Sequence, residues 1–256
     1  MLSILIIPAA SALPLTYRMV VAGVSAHGYD IRALHLPSIG LPKGPRPGKP
    51  PSMYDDAAYI SDQVTELANE GRDILLIAHS YGGAPATEAV NGLSKAERKR
   101  EGKRGGIVGL AYMGCLVPGM GEPASSGPWS PLMEIGEDGW FYYPDEKTTA
   151  KIFFSDLPLD QGLYWASKMV RHSAASFISP LIYTGYKDVP VSYLITEGDK
   201  SIPPRKQRSQ IRMIEQASGR RVDVSTTTAG HVPSLTAPSE VINWILAVAS
   251  KLDAKK

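Results

Sequence analysis

The sequence predicts an α/β fold: a mostly parallel six-stranded sheet flanked by helices, with a mostly helical cap. Three observations carry this. Short apolar runs bounded by turn residues alternate with longer segments of helical period, a pattern that favours parallel strands joined by helical crossovers. A chain of 256 residues is long enough to bury one large core and still carry an insertion. Between Leu116 and Val189 the rhythm breaks, Pro, Gly, Trp and Tyr accumulate, and no strand pattern appears. That stretch is too long for a connecting loop inside a compact sheet.

The elements follow in order. Ser3–Ile7 is the first strand. Its apolar run is too short for a secretory signal, lacks a basic start and breaks at Pro8. Asp30–His35, Ile74–Ala78, Ile107–Met113, Val191–Thr196 and Arg221–Thr227 are the remaining strands. Between them, "LPSIGLPKGPRPGKPPS" at 36–52 is dense in Pro and Gly and reads as loop. "MYDDAAYISDQVTELANEG" places Ala57, Ile60, Val64, Leu67 and Ala68 on one helical face and stops at Gly71. "KAERKREGKRGG" at 95–106 is a charge run, read as a solvated surface loop because no basic patch or interleaved aromatics accompany it. In the insertion, "EKTTAKIFF" and "LDQGLYWASKMVRHS" are the expected cap helices. After the fifth strand comes the helix "RKQRSQIRMIEQA". A last helix, "SEVINWILAVASKL", closes the chain with Ser239 as its expected N-cap.

Composition narrows the function. The formal net charge is +2, which argues against a basic nucleic-acid surface and favours a small neutral partner. Cys115 is the sole cysteine, so there is no internal disulfide and no metal-ligand pattern, and a cytoplasmic setting is expected. No apolar stretch approaches the ~20 residues that span a bilayer. The partners expected are therefore a small apolar or aromatic ester-like substrate, no nucleic acid and no membrane, with a homodimer left open.

The chemistry is concentrated in "DILLIAHSYGGAPA", where a buried strand runs into a serine between small residues. Ala78-His79-Ser80-Tyr81-Gly82 fits the small-x-Ser-x-Gly form of a nucleophile elbow. Its flanking residues must be small because the backbone swings sharply from strand to helix. A plain helix-capping role for Ser80 is the competing reading. The next amide, of Tyr81, faces the same space at a helix N-terminus and can receive an oxyanion. A serine needs an imidazole to take its proton and a carboxylate to orient that imidazole. His231 in "TTTAGHVPSL" follows the last strand at the same sheet edge; His27, His35, His79 and His172 are placed less well. Asp199 in "VSYLITEGDKSIPP" is the preferred acid, because Gly198 gives it a turn over the strand end, with Glu197 the competitor.

The order Ser80, Asp199, His231 and its strand context resemble the α/β-hydrolases, and within them the small plant-type esterase and hydroxynitrile lyase group with its bacterial and fungal relatives. The resemblance is strongest in "LLIAHSYGG", in "FFSDLP" with "SAASFISPL", and from "VPVSYLITEGDKSIPP" to "AGHVPSLTAPSEVINWI". It implies a hydrolase core at 1–115 and 190–256, a cap at 116–189, and nucleophile, acid and base roles for Ser80, Asp199 and His231. Two departures stand out. Many relatives carry a His-Gly-x-Trp type oxyanion loop, whereas this chain reads "IIPAASALPLTY"; by position Ala9 gives the second oxyanion amide and Ser11 either a hydroxyl donor or a helix cap. Cyanohydrin-cleaving members have a lysine directly after the catalytic histidine, and this chain has Val232, so that lyase activity is not expected.

The expectation is hydrolysis of a small carboxylic ester, methyl esters and lactones included, with no cofactor and no metal. Trp129, Trp140, Phe141, Tyr142 and Trp165 of the cap are either pocket walls for a flat apolar substrate or ordinary cap core. As walls they would suit a C–C cleaving, dehydrating or cyclising step on an aromatic or polyketide-like metabolite. A non-catalytic binder of the same fold is the third alternative.

Overall fold

The computed structural model describes residues 1–125 and 132–254. Its main sheet contains β1 (Leu2–Ile7), β2 (Asp30–Ala33), β3 (Asp73–His79), β4 (Gly106–Met113), β8 (Val191–Thr196) and β9 (Asp223–Thr227). The numbers β5 to β7 fall to short strands of the insertion: Glu134–Ile135, Trp140–Tyr142 and His172–Ser173. The main sheet has the order β2-β1-β3-β4-β8-β9, and each neighbouring pair is parallel. β3 lies near its centre and is buried along its whole length.

Alternation along the strands divides the core between the two faces. Leu5 and Ile7 of β1 join Ile74, Leu76 and Ala78 of β3 on one face. There they meet α2 (Met53–Asn69), α3 (Gly83–Glu88) and α8 (Pro204–Ser218). Leu2, Ile4 and Ile6 of β1 and Leu75 and Ile77 of β3 point the other way, onto α1 (Arg18–Ser25) and α10 (Pro238–Asp253). Covered on both sides, these strands can be apolar at successive positions. α2 begins in a reciprocal capping box between Ser52 and Asp55 and buries the five-residue stripe read from its sequence.

Several local expectations are corrected. The charge run is not all loop: Lys95–Arg100 forms α4, because Ser94 and Glu97 cap each other's backbone amides. Ser239 does not cap α10; the helix starts one residue earlier at Pro238, whose fixed φ and missing N–H suit a first helical position. The insertion holds α5 (Glu146–Phe153), α6 (Leu159–Ala166) and α7 (Ala175–Ile178), yet β5, β6 and β7 also pair there as an antiparallel sheet. The second expected cap helix therefore ends at Ala166, and His172 and Ser173 belong to a strand instead. Two- and three-residue strands are too short to leave a readable alternation. The last short helix, α9 (Pro233–Thr236), begins two residues after His231.

Candidate active site

β3 delivers the serine. Directly after it, Ser80 takes φ = 53°, a left-handed conformation that costs a non-glycine residue ~1–2 kcal/mol. The surroundings hold it there. Leu116 N–H donates to Ser80 O at 2.9 Å, and Cys115 Sγ donates to Ala78 O at 3.0 Å, so the segment leaving β4 ties down both sides of the turn. Gly82 presses against the end of β1, where a Cβ would lie 2.5 Å from Ile7 O. The steric reason for a small residue two positions after the serine is thus a specific backbone contact.

The loops after β8 and β9 bring the other two side chains to the same sheet edge. His231 Nε2 lies 3.0 Å from Ser80 Oγ, and its Nδ1 lies 2.9 Å from Asp199 Oδ2. A carboxylate only accepts, so Nδ1 carries the proton and Nε2 is free to accept from the serine hydroxyl. Asp199 Oδ1 also accepts from Ser201 N–H and Ile202 N–H, each at 2.8 Å, and Oδ2 from Thr196 Oγ1 at 2.9 Å. Burial alone would raise this carboxyl, but the neighbouring His231 and these hydrogen bonds outweigh it and hold the pKa below the ordinary value. Glu197, the competing acid, instead pairs with Arg208 away from the histidine.

The insertion closes over this edge. Phe153 of α5 stands 5.4 Å from the His231 ring, and Asp156 beyond α5 accepts Gly230 N–H at 2.6 Å. A Cβ on Gly230 would meet that carboxylate at 2.6 Å, so a larger residue before the histidine would displace Asp156. Between core and insertion lies a cavity of about 400 Å³ bordered by Ser80 and His231. Its walls include Tyr143, Phe153, Trp165, Met169 and Phe177, which makes them mainly apolar.

The aromatic residues read from sequence separate here. Trp165 lines the cavity, whereas Trp140 and Phe141 do not. Both are held in β6, and Phe141 packs into the core against His172 and Phe177. Tyr142 carries Arg171 over its ring at the surface. Trp129 lies outside the described residues. Ser11 borders the cavity at φ = 60°, but its Oγ is buried without a partner among the described residues and caps no helix there.

Ala9 is corrected as well. Its N–H is already donated to Tyr17 Oη at 2.9 Å and is not free for an oxyanion. The next residue, Ala10, also lines the cavity, and its N–H has no acceptor among the described residues. Tyr81 is the middle residue of the turn Ser80–Gly82 and is anchored by its side chain, whose Oη donates to Asp56 Oδ2 at 2.6 Å. Asp56 is fully buried and also accepts from Ser38 N–H at 2.8 Å; burial pushes its pKa up to about 7. The sequence did carry a signal for Asp56, which stands three residues after Met53 on the apolar face of α2. Nothing in the pattern around Tyr17 marks it.

Comparison with known proteins adds four findings. A family model described as alpha/beta hydrolase family matches residues 4–244. "Probable hydrolase R7" of Phoma sp. is 30% identical over 249 residues, covering 96% of this chain and 97% of that one. Among solved structures, a pyrethroid hydrolase from Sphingobium faniae superposes with TM-score 0.72 at 20% identity, covering 99% and 98% of the two chains. The methylesterase MES16 from Arabidopsis does so with TM-score 0.71 at 15% identity, covering 98% and 99%.

Proposed function

The chain belongs to the alpha/beta hydrolase family, and from that premise we propose that it hydrolyses a small carboxylic ester, a methyl ester or lactone among the candidates, through a Ser-His-Asp acyl-enzyme mechanism. The observation that carries the reading is the continuous hydrogen-bonded line from Asp199 through His231 to Ser80 at the wall of an apolar cavity. Ser80 Oγ attacks the ester carbonyl while His231 Nε2 takes its proton. The negative charge that develops on the carbonyl oxygen is received by the N–H groups of Tyr81 and Ala10. When the tetrahedral intermediate collapses, His231 returns the proton to the departing alcohol, and Asp199 holds the imidazole throughout. Water, deprotonated by the same imidazole, then releases the acid and restores the serine.

The arrangement calls for no metal or cofactor. No group of metal-ligating side chains occurs among the described residues, and no helix there is long and apolar enough to cross a membrane. A core of 1–115 and 190–256 with a cap at 116–189 fits this mechanism, since the insertion supplies the apolar walls. A cytoplasmic setting agrees with a single, buried cysteine.

The test is turnover of a panel of short acyl esters by wild type and Ser80→Ala. The variant should lose at least ~10³-fold in kcat, and equal turnover by both would remove the serine mechanism. The aromatic walls favour one second reading, a C–C cleaving, dehydrating or cyclising step on a flat metabolite in the same cavity. Failure on every simple ester, together with saturable binding of an aromatic metabolite, would replace the first reading by the second.

A further inference from the structure

His79, the residue before the nucleophile, is fully buried and both of its ring nitrogens are engaged. Nε2 lies 2.7 Å from His231 O. A carbonyl can only accept, so Nε2 carries the proton, and Nδ1 must act as an acceptor. Nδ1 is 2.8 Å from Tyr17 Oη, which therefore donates to it. The same Tyr17 oxygen accepts Ala9 N–H at 2.9 Å. Directions are thereby set along the whole chain: Ala9 N–H to Tyr17, Tyr17 O–H to His79, His79 Nε2–H to the backbone of His231.

Resting on the ester-hydrolase reading above, we propose that His79 and Tyr17 are positioning residues that lock the loop carrying Ala9 and Ala10, the turn carrying Ser80 and the backbone of His231 into one frame. These segments come from distant parts of the chain, and beyond the Ile7–Ala78 pair at the ends of β1 and β3 no strand pairing among the described residues joins them to one another. Tyr17 and His79 meet edge to face with ring centroids 5.9 Å apart, and the His79 ring lies 5.2 Å from that of His231. The frame needs a neutral His79. Burial first, and the nearby His231 next, push its pKa down to about 3, against smaller opposing effects of its hydrogen bond to the His231 backbone and of Asp199. It can therefore stand beside the imidazolium that His231 becomes during reaction without adding a second positive charge.

The experiment measures kcat and KM per active site, the sites being counted by titration with a fluorophosphonate, for wild type, Tyr17→Phe, His79→Gln and His79→Leu. Tyr17→Phe keeps the ring and removes both hydrogen bonds. It should lower kcat per site ~10- to 100-fold while KM moves less than ~3-fold, the size of effect expected when reacting groups drift by a fraction of an ångström to one ångström. His79→Gln, which retains a donor and an acceptor, should keep more activity than His79→Leu. Wild-type kcat per titrated site in Tyr17→Phe overturns the proposal. So does equal loss in the two His79 variants.

A readout on the unmodified protein covers variants that fail to fold. Long-range ¹⁵N NMR of the His79 ring should report the Nε2-protonated neutral form unchanged from pH 5 to 9. An Nδ1-protonated ring, or titration within that range, overturns the proposal equally. If wild type neither hydrolyses esters nor takes the fluorophosphonate, the ester-hydrolase reading has failed instead, and the NMR result still judges the hydrogen-bonded chain by itself.

Discussion

Ser80 keeps a backbone conformation that serines avoid, and the cost is offset only because residues on every side fix it. Its partners were legible for separate reasons. Asp199 follows β8, whose apolar run is plain in the sequence, and His231 follows β9, a short edge strand rich in β-branched residues, so the sheet edge they share is legible from chain order. The second oxyanion amide was not legible to the residue. The turn after β1 shifts the free N–H from Ala9 to Ala10, and only the hydroxyl of Tyr17 reveals the shift. For the acid, substitution separates two neighbours: Asp199→Asn should lower kcat ~10⁴-fold by spoiling the tautomer of His231. Glu197→Gln, which touches only a surface arginine, should stay within ~2-fold of wild type. Steady-state kinetics on one ester decides this, and a severe loss confined to Glu197→Gln would reverse the assignment.

The elements differ in how much of themselves they disclose. β1, β3 and β4 are largely apolar runs between turn residues, and α2 shows its stripe and its glycine stop, so local pattern and tertiary burial agree. The insertion gives less away. Its strands are two and three residues long, and whether an aromatic side chain faces the cavity or the core depends on which side of β6 it leaves. Trp165, on α6, reaches the cavity, whereas Phe141 does not. The insertion nevertheless touches the chemistry through the segment after α5, where Asp156 holds the amide just before His231. Asp156→Ala should free that loop and lower kcat by up to ~10-fold with a smaller change in KM, comparable to losing one charge-assisted hydrogen bond. Initial-rate measurements check it, and an unchanged kcat would show that the loop holds without the insertion.

For the whole molecule, stability should depend on pH through buried groups that the sheet and insertion enclose. His79 and His172 are each held neutral by burial, with pKa about 3 against an ordinary 6.5. Between those limits the unfolded chain binds the extra protons, so each histidine removes stability as pH falls from about 6.5 toward 3. Asp56 acts oppositely. With its pKa raised from 3.8 to about 7, it binds its proton in the folded state first, and so adds stability on acidification between about 7 and 3.8. Two histidines against one aspartate leave a net loss of ~1.4 kcal/mol per pH unit between about pH 6 and pH 4. Near pH 4 the Asp56 contribution levels off and Asp199, whose folded-state pKa is depressed, adds a further loss because the unfolded chain takes up that proton first, while the two histidine contributions fade toward pH 3. Urea unfolding at half-unit pH steps measures the slope, and stability that is flat or rises toward pH 4 would contradict the burial of these imidazoles.

Ester hydrolysis by this chain would depend most on an activated hydroxyl at the end of β3 that faces the cavity. Its most direct test is intact and peptide mass spectrometry of wild-type protein treated with a fluorophosphonate. The prediction is one adduct per chain, on the peptide containing Ser80, lost when His231 is replaced by alanine. An ester-hydrolysing preparation that carries no adduct, or carries it on a different serine, would contradict the account.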